Sequence, residues 1–404
     1  MKKLTVSTLA LIGVGALTLA GCSSGADAGS NGEFNVYVAA AISGPDQLAK
    51  NAKTSALAVE ASAKIANESG GVNGRQIKVT VLDDGGDPTI AVSKLREIAS
   101  GKTKPDLYVN TGSSTVGTAT VPILTQNKIL SFTMSPTASG ADPKVAPYNF
   151  DISPSAEVYA KGIAAFIAGK QYQDVGIIHG NSTYGENFGN AMVAALGSAG
   201  VKVTESKEYD TAALDMTAQL QSLKNAGTKA LVVDAYGAPL GYLIQSLERL
   251  GWDVPLIGNN SVAGTSSIAT PPPGGFLGVP QTKDMVMQMF HSTAYDPADE
   301  LVNTAVDTMA GMGTIASTLI VAASYDAVPM VAAAAESAGS TDLDKLVDAI
   351  EDIEVQKQAK TAMIPVPNYS AESHSSNPDA STFTYIAPTP LLNGQFANPA
   401  AGGA

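Results

Sequence analysis

Polar and apolar positions along the chain alternate between two periods. "FNVYVAA" places Phe34, Val36 and Val38 on one face of an extended segment, the period-two pattern of a half-buried strand. An alanine-rich helical stretch follows from about Leu48 to Asn67, and "SGGVNG" (Ser69 to Gly74) supplies the glycine signal of a helix end. "QIKVTVLDD" (Gln76 to Asp84) reads as the next strand. "GGDPTIAVSKLREIAS" then starts a helix, with Asp87 as N-cap and Pro88 at the first helical position. "DLYVN", the segment "TGSSTVGTAT" (residues 111–120), a helix to about Asn127 and the strand "ILSF" (Ile129 to Phe132) complete a first strand–helix alternation.

A second alternation begins after "NFDISPSAE" (Asn149 to Glu157), which reads as a crossing followed by a helix cap. Its strands are expected at "DVGIIHG", "VKVTESKEY", "KALVVDAY", "PLIGNN" and "GGFLGVP". Beyond Gln281 the pattern reads as helical through "DMVMQMF", "ELVNTAVDTMAGM", "ASTLIVAASYDAVPMVAAAAESAG" and "LDKLVDAIEDI", with Pro329 kinking or dividing the third. In the tail, "FTYIAP" is the best strand candidate. Alternation at these intervals predicts an α/β fold of parallel sheets wrapped by helices, and its repetition predicts two Rossmann-like lobes. Because the late helices bring no strands of their own, the chain is expected to return to the first lobe through a multi-strand hinge. The expected divisions are lobe 1 at 33–151, lobe 2 at 152–283, a return to lobe 1 at 284–378, and a hinge return to lobe 2 with the tail at 379–404.

Composition and charge add the compartment. "MKK", the apolar "LTVSTLALIGVGALTLA" and the small residues before Cys22 have the order of a signal peptide, expected at residues 1–21. Leu19-Ala20-Gly21-Cys22 resembles the bacterial lipobox, in which the cysteine is acylated. That resemblance implies a lipid anchor at Cys22 on the extracytoplasmic face of the cell membrane, held stably by two acyl chains. An ordinary secretory signal or an uncleaved membrane helix is the alternative. Cys22 is the one cysteine, so there is neither a disulfide framework nor a cysteine-based metal site. Residues 22–32 are small and polar and read as a flexible tether. The formal net charge is −13, and losing Lys2 and Lys3 with the leader makes it two units more negative. Such an acidic surface argues against nucleic acid as a partner. No second apolar run is read as long enough to span a membrane.

A catalytic reading finds little to build on. The three histidines, His179, His291 and His374, are scattered, without the spacing of a metal-binding helix. His179 closes an apolar strand and reads as a core residue; His374, in the polar "YSAESHSSNPD", reads as solvent-exposed. "DDGGD" (Asp83 to Asp87) lacks the later ligands of a calcium loop, and no P-loop lysine or GxGxxG pattern follows a strand. No cofactor is expected, and the balance favours a binder over an enzyme.

Six stretches, in order, carry a resemblance: "AAISGPDQLAKNA", "ANESGGVNGRQIKVTVLDDGGDPTIAV", "GSSTVGTATVPI", "IIHGNSTYGENF", "AYGAPLGYLIQSLERLGW" and "AASYDAV". Together they are similar to substrate-binding lipoproteins of ABC importers, in the branched-chain (Leu/Ile/Val) amino-acid receptor class of type I periplasmic binding proteins. The resemblance spans roughly residues 33 to 355 and fades after Pro365. It implies a small ligand held between two lobes that close on a hinge and then dock on a membrane permease. It places the ligand's carboxylate at Ser114, where small alcohols and a helix N-terminus donate without a countercharge. Ser135, Pro136 and Thr137 form a second group of contacts, or Thr137 and Ser139 in a later register. Tyr184 and Tyr236 supply aromatic walls. Asn260 stands where such receptors carry a carboxylate for the ligand's ammonium, and an amide cannot neutralise a buried cation. Asp234 could stand in, or the ligand lacks an ammonium, as an aromatic or aliphatic acid or an amide does. A tethered sensor sharing the fold is the alternative function.

The anchoring expectation has a direct check. Cys22→Ala should move the protein from the detergent phase to the aqueous phase on Triton X-114 partitioning; retention in the detergent phase would rule out the lipid anchor.

Overall fold

Two six-stranded sheets organise the chain, each built by strands that alternate with helices. The structure is a computed structural model that describes residues 32–137 and 139–398, so the expected signal peptide, most of the tether and Cys22 lie outside the described residues. In the first lobe, β1 (Phe34–Ala40), α1 (Asp46–Glu68), β2 (Ile77–Asp83), α2 (Pro88–Ser100), β3 (Leu107–Asn110), α3 (Ser114–Gln126), β4 (Leu130–Thr133) and β5 (Asn149–Pro154) follow one another. The second lobe runs α4 (Ala156–Gly169), β6 (Val175–Gly180), α5 (Thr183–Ser198), β7 (Val203–Tyr209), α6 (Thr217–Asn225), β8 (Ala230–Val233), α7 (Ala238–Arg249), β9 (Leu256–Gly258), α8 (Asn260–Ala263) and β10 (Met285–Phe290).

The short apolar strands are buried throughout, as strands covered by helices on both faces must be: every residue of β3, β4, β8 and β9 is buried. Asp87 caps α2 as its sequence position predicts, its carboxylate accepting from the N–H groups of Thr89 and Ile90. With two strands that the chain adds late, β11 (Ser375–Ser376) and β12 (Phe383–Ile386), the strand order is β11-β5-β4-β3-β1-β2 in the first sheet and β12-β10-β9-β8-β6-β7 in the second.

The chain's return is more interleaved than its pattern predicts. After β10 come α9 (Glu300–Met312), a 3₁₀ segment (Leu319–Asp326), α10 (Ala327–Ala338), α11 (Leu343–Glu351) and α12 (Ile353–Gln358). Of these, α9, the 3₁₀ segment and α10 pack on α1 of the first lobe. Then β11 (Ser375–Ser376) joins the first sheet beside β5, and β12 (Phe383–Ile386) crosses to pair antiparallel with β10. A terminal hairpin, β13 (Leu391–Leu392) and β14 (Gln395–Phe396), comes back to the segment that opens the return, where Gly394 O accepts from Leu319 N at 2.7 Å and Phe396 O from Tyr295 N at 2.9 Å. Three connections therefore join the lobes: β5 to α4, β10 to α9, and β11 to β12.

Several expectations need correction. "NFDISP" is not a mere crossing but strand β5, so Ile152 to Pro154 stay with the first sheet and the expected boundary after residue 151 cuts a strand. "GGFLGVP" forms no strand. Gly275 lies so close to the backbone that an added Cβ would sit 2.2 Å from Ser267 O, and Gly278 adopts a positive φ of 81°. The place beside β9 falls instead to "MVMQMF", expected as helix. Methionine favours helices, but pairing with β9 and β12 overrides that preference here, and the buried Gln288 Nε2 donates to Tyr385 Oη at 2.8 Å and Tyr159 O at 3.2 Å. The change of lobe consequently follows β10 instead of preceding it at 283/284. The break near Pro329 falls at Asp326/Ala327, leaving the proline in the first turn of α10, where its missing N–H costs nothing.

His374 is also misread by its polar surroundings. It has 0% exposure and stacks on Phe150 with centroids 4.0 Å apart; Nδ1 faces Asn149 O at 2.9 Å and Nε2 faces Glu351 Oε1 at 2.8 Å. The apolar stretch Leu319–Ala338 does have the length and composition of a membrane span, with mean hydropathy 1.4, but 78% of it is buried inside the protein.

Asp326, at the junction of the 3₁₀ segment and α10, anchors the return. Its carboxylate accepts from the backbone N–H groups of Ala362, Met363 and Ile364 at 2.7 to 3.0 Å. Asp326→Ala should strand three buried donors and lower unfolding free energy by about 3 kcal/mol or more in a denaturant titration; a loss under about 1 kcal/mol would show that this anchor is dispensable.

Candidate functional site

In a parallel sheet every strand points its carboxyl end to one edge, and the following helix begins there. The edges of the two lobes face each other across a cavity of about 360 Å³. Its lining comes from the turns after β1 to β4 on one side and after β6 to β9 on the other, with α1 and the Ile320–Val321 segment along the wall. No Lys, Arg or His lines it, and its one carboxylate is Asp234.

The first-lobe wall is made of small alcohols and the start of α3. Ser113 occupies the N-cap position of α3, yet no side chain caps the helix, so its first-turn N–H groups are left to the cavity. The neighbouring starts are capped: Ser182 Oγ accepts from Gly185 N on α5 and Asn259 Oδ1 from Ser261 N on α8. Ser114 lines the cavity, and its hydroxyl has no hydrogen-bond partner among the described residues. Other alcohols of the segment are committed to the backbone: Thr111 donates to Ala39 O, Thr118 to Ser114 O and Thr120 to Val116 O, at 2.8 to 2.9 Å. The hydroxyl-rich sequence thus serves both the helix and the cavity.

Ser135 and Pro136 line the same wall. Ser135 Oγ donates to Gly112 O at 3.0 Å, which ties the turn after β4 to the turn after β3 and leaves that oxygen as an acceptor. Thr137 is a correction. It is buried outside the cavity, its N–H donating to Asp151 Oδ2 at 3.1 Å and its Oγ1 accepting from Gly140 N at 3.0 Å. Ser139 is exposed and likewise outside the lining, so the later register does not hold either.

Tyr184, Tyr236 and Asn260 come together on the opposite wall. Tyr184 Oη donates to Asn260 Oδ1 at 2.6 Å and its ring stacks on Phe188. Burial raises the pKa of Tyr184 well above the usual value, so it stays neutral. Tyr236 is 41% exposed and sits at the mouth, where its hydroxyl accepts from Asn51 Nδ2 on the opposite lobe. Asn51 also donates to Gly264 O at 3.2 Å, and Ser266 Oγ donates to Gln47 Oε1 at 2.9 Å. These contacts bridge the lobes directly. Asp234 is 5% exposed; Asn259 Nδ2 donates to its Oδ1 at 2.8 Å and Gly180 N approaches its Oδ2 only at 3.5 Å.

Gln47, Asn51, Met134, Ser153 and Tyr209 have no role in the reading of the sequence alone. Asn51 leaves one trace, a polar side chain within the buried alanine face of α1 formed by Ala49, Ala52 and Ala56. Among the described residues, no group of three or more His, Cys, Asp or Glu is arranged to hold a metal.

Residues 35–381 match the family described as Periplasmic binding protein. The chain belongs to this family. A leucine-, isoleucine-, valine-, threonine- and alanine-binding protein of Pseudomonas aeruginosa is 24% identical over 286 residues, 70% of this chain and 73% of that one. A type 1 periplasmic binding protein from Bordetella pertussis Tohama I superposes with a TM-score of 0.73 at 22% identity, over 88% of this chain and 96% of that one. A fatty acid ABC transporter substrate-binding protein from Thermomonospora curvata gives 0.67 at 17% identity, over 88% and 92%. The fold of this binding protein is that of type I periplasmic binding proteins.

Beneath the first-lobe wall, burial pushes the Asp151 carboxyl from its ordinary 3.8 up to about 8, against the lowering effect of the Thr137 N–H and the Asn149 amide. A proton held in the folded state and released on unfolding stabilises fully below the ordinary value, and that stability is lost as pH rises through about 8. Unfolding free energy of the wild type should therefore fall with rising pH across this window, by up to about 1.4 kcal/mol per unit from this group. Asp151→Asn should remove that component from denaturant titrations repeated across pH; an unchanged slope would assign the dependence elsewhere.

Proposed function

We propose that this periplasmic binding protein is a lipid-anchored, extracytoplasmic receptor that captures a small carboxylate-bearing ligand, an amino acid or a related acid, and delivers it to an ABC importer. The observation that carries the reading is the uncapped start of α3 beside the unpartnered Ser114 hydroxyl, in a cavity with no basic side chain. An anion there gains N–H donors, the positive end of a helix dipole and a hydroxyl without carrying a buried countercharge into the fold. Tyr184 and Tyr236 close over it from the second lobe, and hinge closure follows when one ligand touches both walls. The Pseudomonas aeruginosa relative, named for leucine, isoleucine, valine, threonine and alanine, supports an amino acid.

A second reading has an observation of its own. Leu48, Ile320, Val321 and Met134 give the cavity an apolar side, which suits an aliphatic or aromatic acid, and the Thermomonospora curvata neighbour is named for fatty acid. Both readings use the same anion end. Ser114→Ala should weaken whichever acid binds by about tenfold, since a hydrogen bond to a charged group is worth about 1.5 to 3 kcal/mol. Calorimetry with L-leucine, L-valine and 4-methylpentanoate checks this; unchanged affinity would remove Ser114 from the site.

A further inference from the structure

We propose that the hairpin β13–β14 is a strap across the hinge: it leashes the edge of the second lobe to the cavity wall of the first and limits how far the lobes open. The strap acts whichever ligand the cavity takes, so it goes beyond the proposed function.

A two-stranded hairpin is marginal in water by itself, so what it docks on decides what it does. Its turn, Asn393-Gly394, has positive φ at both residues, 47° and 83°, the conformation an Asn-Gly pair favours. That turn presses on the first lobe. Leu319 N donates to Gly394 O at 2.7 Å, and a Cβ on Gly394 would stand 2.7 Å from Ile315 Cγ2 and 2.9 Å from Ser317 O. The returning strand holds the crossing that follows β10. Gln395, 2% exposed, donates from Nε2 to Ser292 O at 2.9 Å, and the buried Phe396 accepts from Tyr295 N through its carbonyl oxygen at 2.9 Å. One short hairpin therefore grips the first lobe and a crossing at once.

The chain reaches this hairpin from the second lobe. β12 pairs antiparallel with β10 at the edge of the second sheet, and only Ala387, Pro388, Thr389 and Pro390 separate it from β13. Four residues reach about 14 Å at most when extended, and the two prolines stiffen them. On its other side, residues 377–382 tie β12 to β11 in the first sheet. β12 is thus a second-lobe strand leashed at both ends to the first lobe. Swinging the second lobe away has to use up this slack or peel the hairpin off.

The load arrives at the cavity. Leu319, held by Gly394, precedes Ile320 and Val321, which line the wall. Ser317, against which the turn also packs, donates to Asn51 Oδ1, and Asn51 donates in turn to Tyr236 Oη and Gly264 O across the mouth. A strap seated here keeps the ligand-free protein near the bridged arrangement, so the population of closed molecules does not depend on ligand alone.

Small-angle scattering and hydrogen exchange test this on protein stripped of ligand by unfolding, dialysis and refolding. Gly394→Val drives a branched side chain toward Ile315 at a positive φ, whereas Gln395→Met keeps the shape and removes the donor to Ser292. Opening should raise the radius of gyration above that of the stripped wild type. It should also speed exchange about tenfold around Gly264, across the mouth from the docked segment, the scale of lost hydrogen bonds. The strap stands if either folded variant opens in this way and is overturned if neither does. Should neither variant fold, the wild type decides: in stripped protein the Leu319 and Tyr295 amides should stay as protected as those of β10, and exchange there as fast as in exposed loops overturns the proposal.

Discussion

Parallel pairing is the constraint from which the site follows. Every pairing in the first sheet is parallel, and in the second only β12 runs against its neighbour. Such a sheet delivers all its turns, and the positive ends of the helices after them, to one edge. Placing two of these edges face to face concentrates backbone donors around a cavity that needs no basic residue to receive an anion. The strands need only be apolar and short; the chemistry sits in the first residues of each turn.

That division explains what could be read from residues alone. Strand–helix alternation, the Asp87 cap and the clustering of Ser114, Ser135, Pro136, Tyr184, Tyr236 and Asn260 are local or motif-level features, and all of those side chains do reach the cavity. The failures are non-local. "MVMQMF" is a strand because β9 and β12 flank it, and "NFDISP" because β4 and β11 do. Thr137 drops out because Asp151, fourteen residues away, takes its N–H. His374 turns inward because Phe150 and Glu351 supply a stack and an acceptor that its own serine-rich neighbourhood does not announce.

The bridge between lobes was likewise invisible, and it modifies the role of Tyr236. Its hydroxyl serves Asn51 on the opposite lobe, so the tyrosine works as a fastening at the mouth as well as a wall. Gln47 and Ser266 add a second fastening nearby. Direct bonds of this kind stabilise the closed arrangement by themselves, so a ligand has only to supply the remaining difference between closed and open states. Asn51 and Tyr236 both line the cavity, so the fastening at the mouth and the cavity wall share these two side chains.

The account stands on an acid being held at the start of α3. Mass spectrometry of small molecules released by denaturing freshly purified protein tests it most directly. The expected result is one stoichiometric compound that bears a carboxylate; recovery of a stoichiometric compound without one would contradict it.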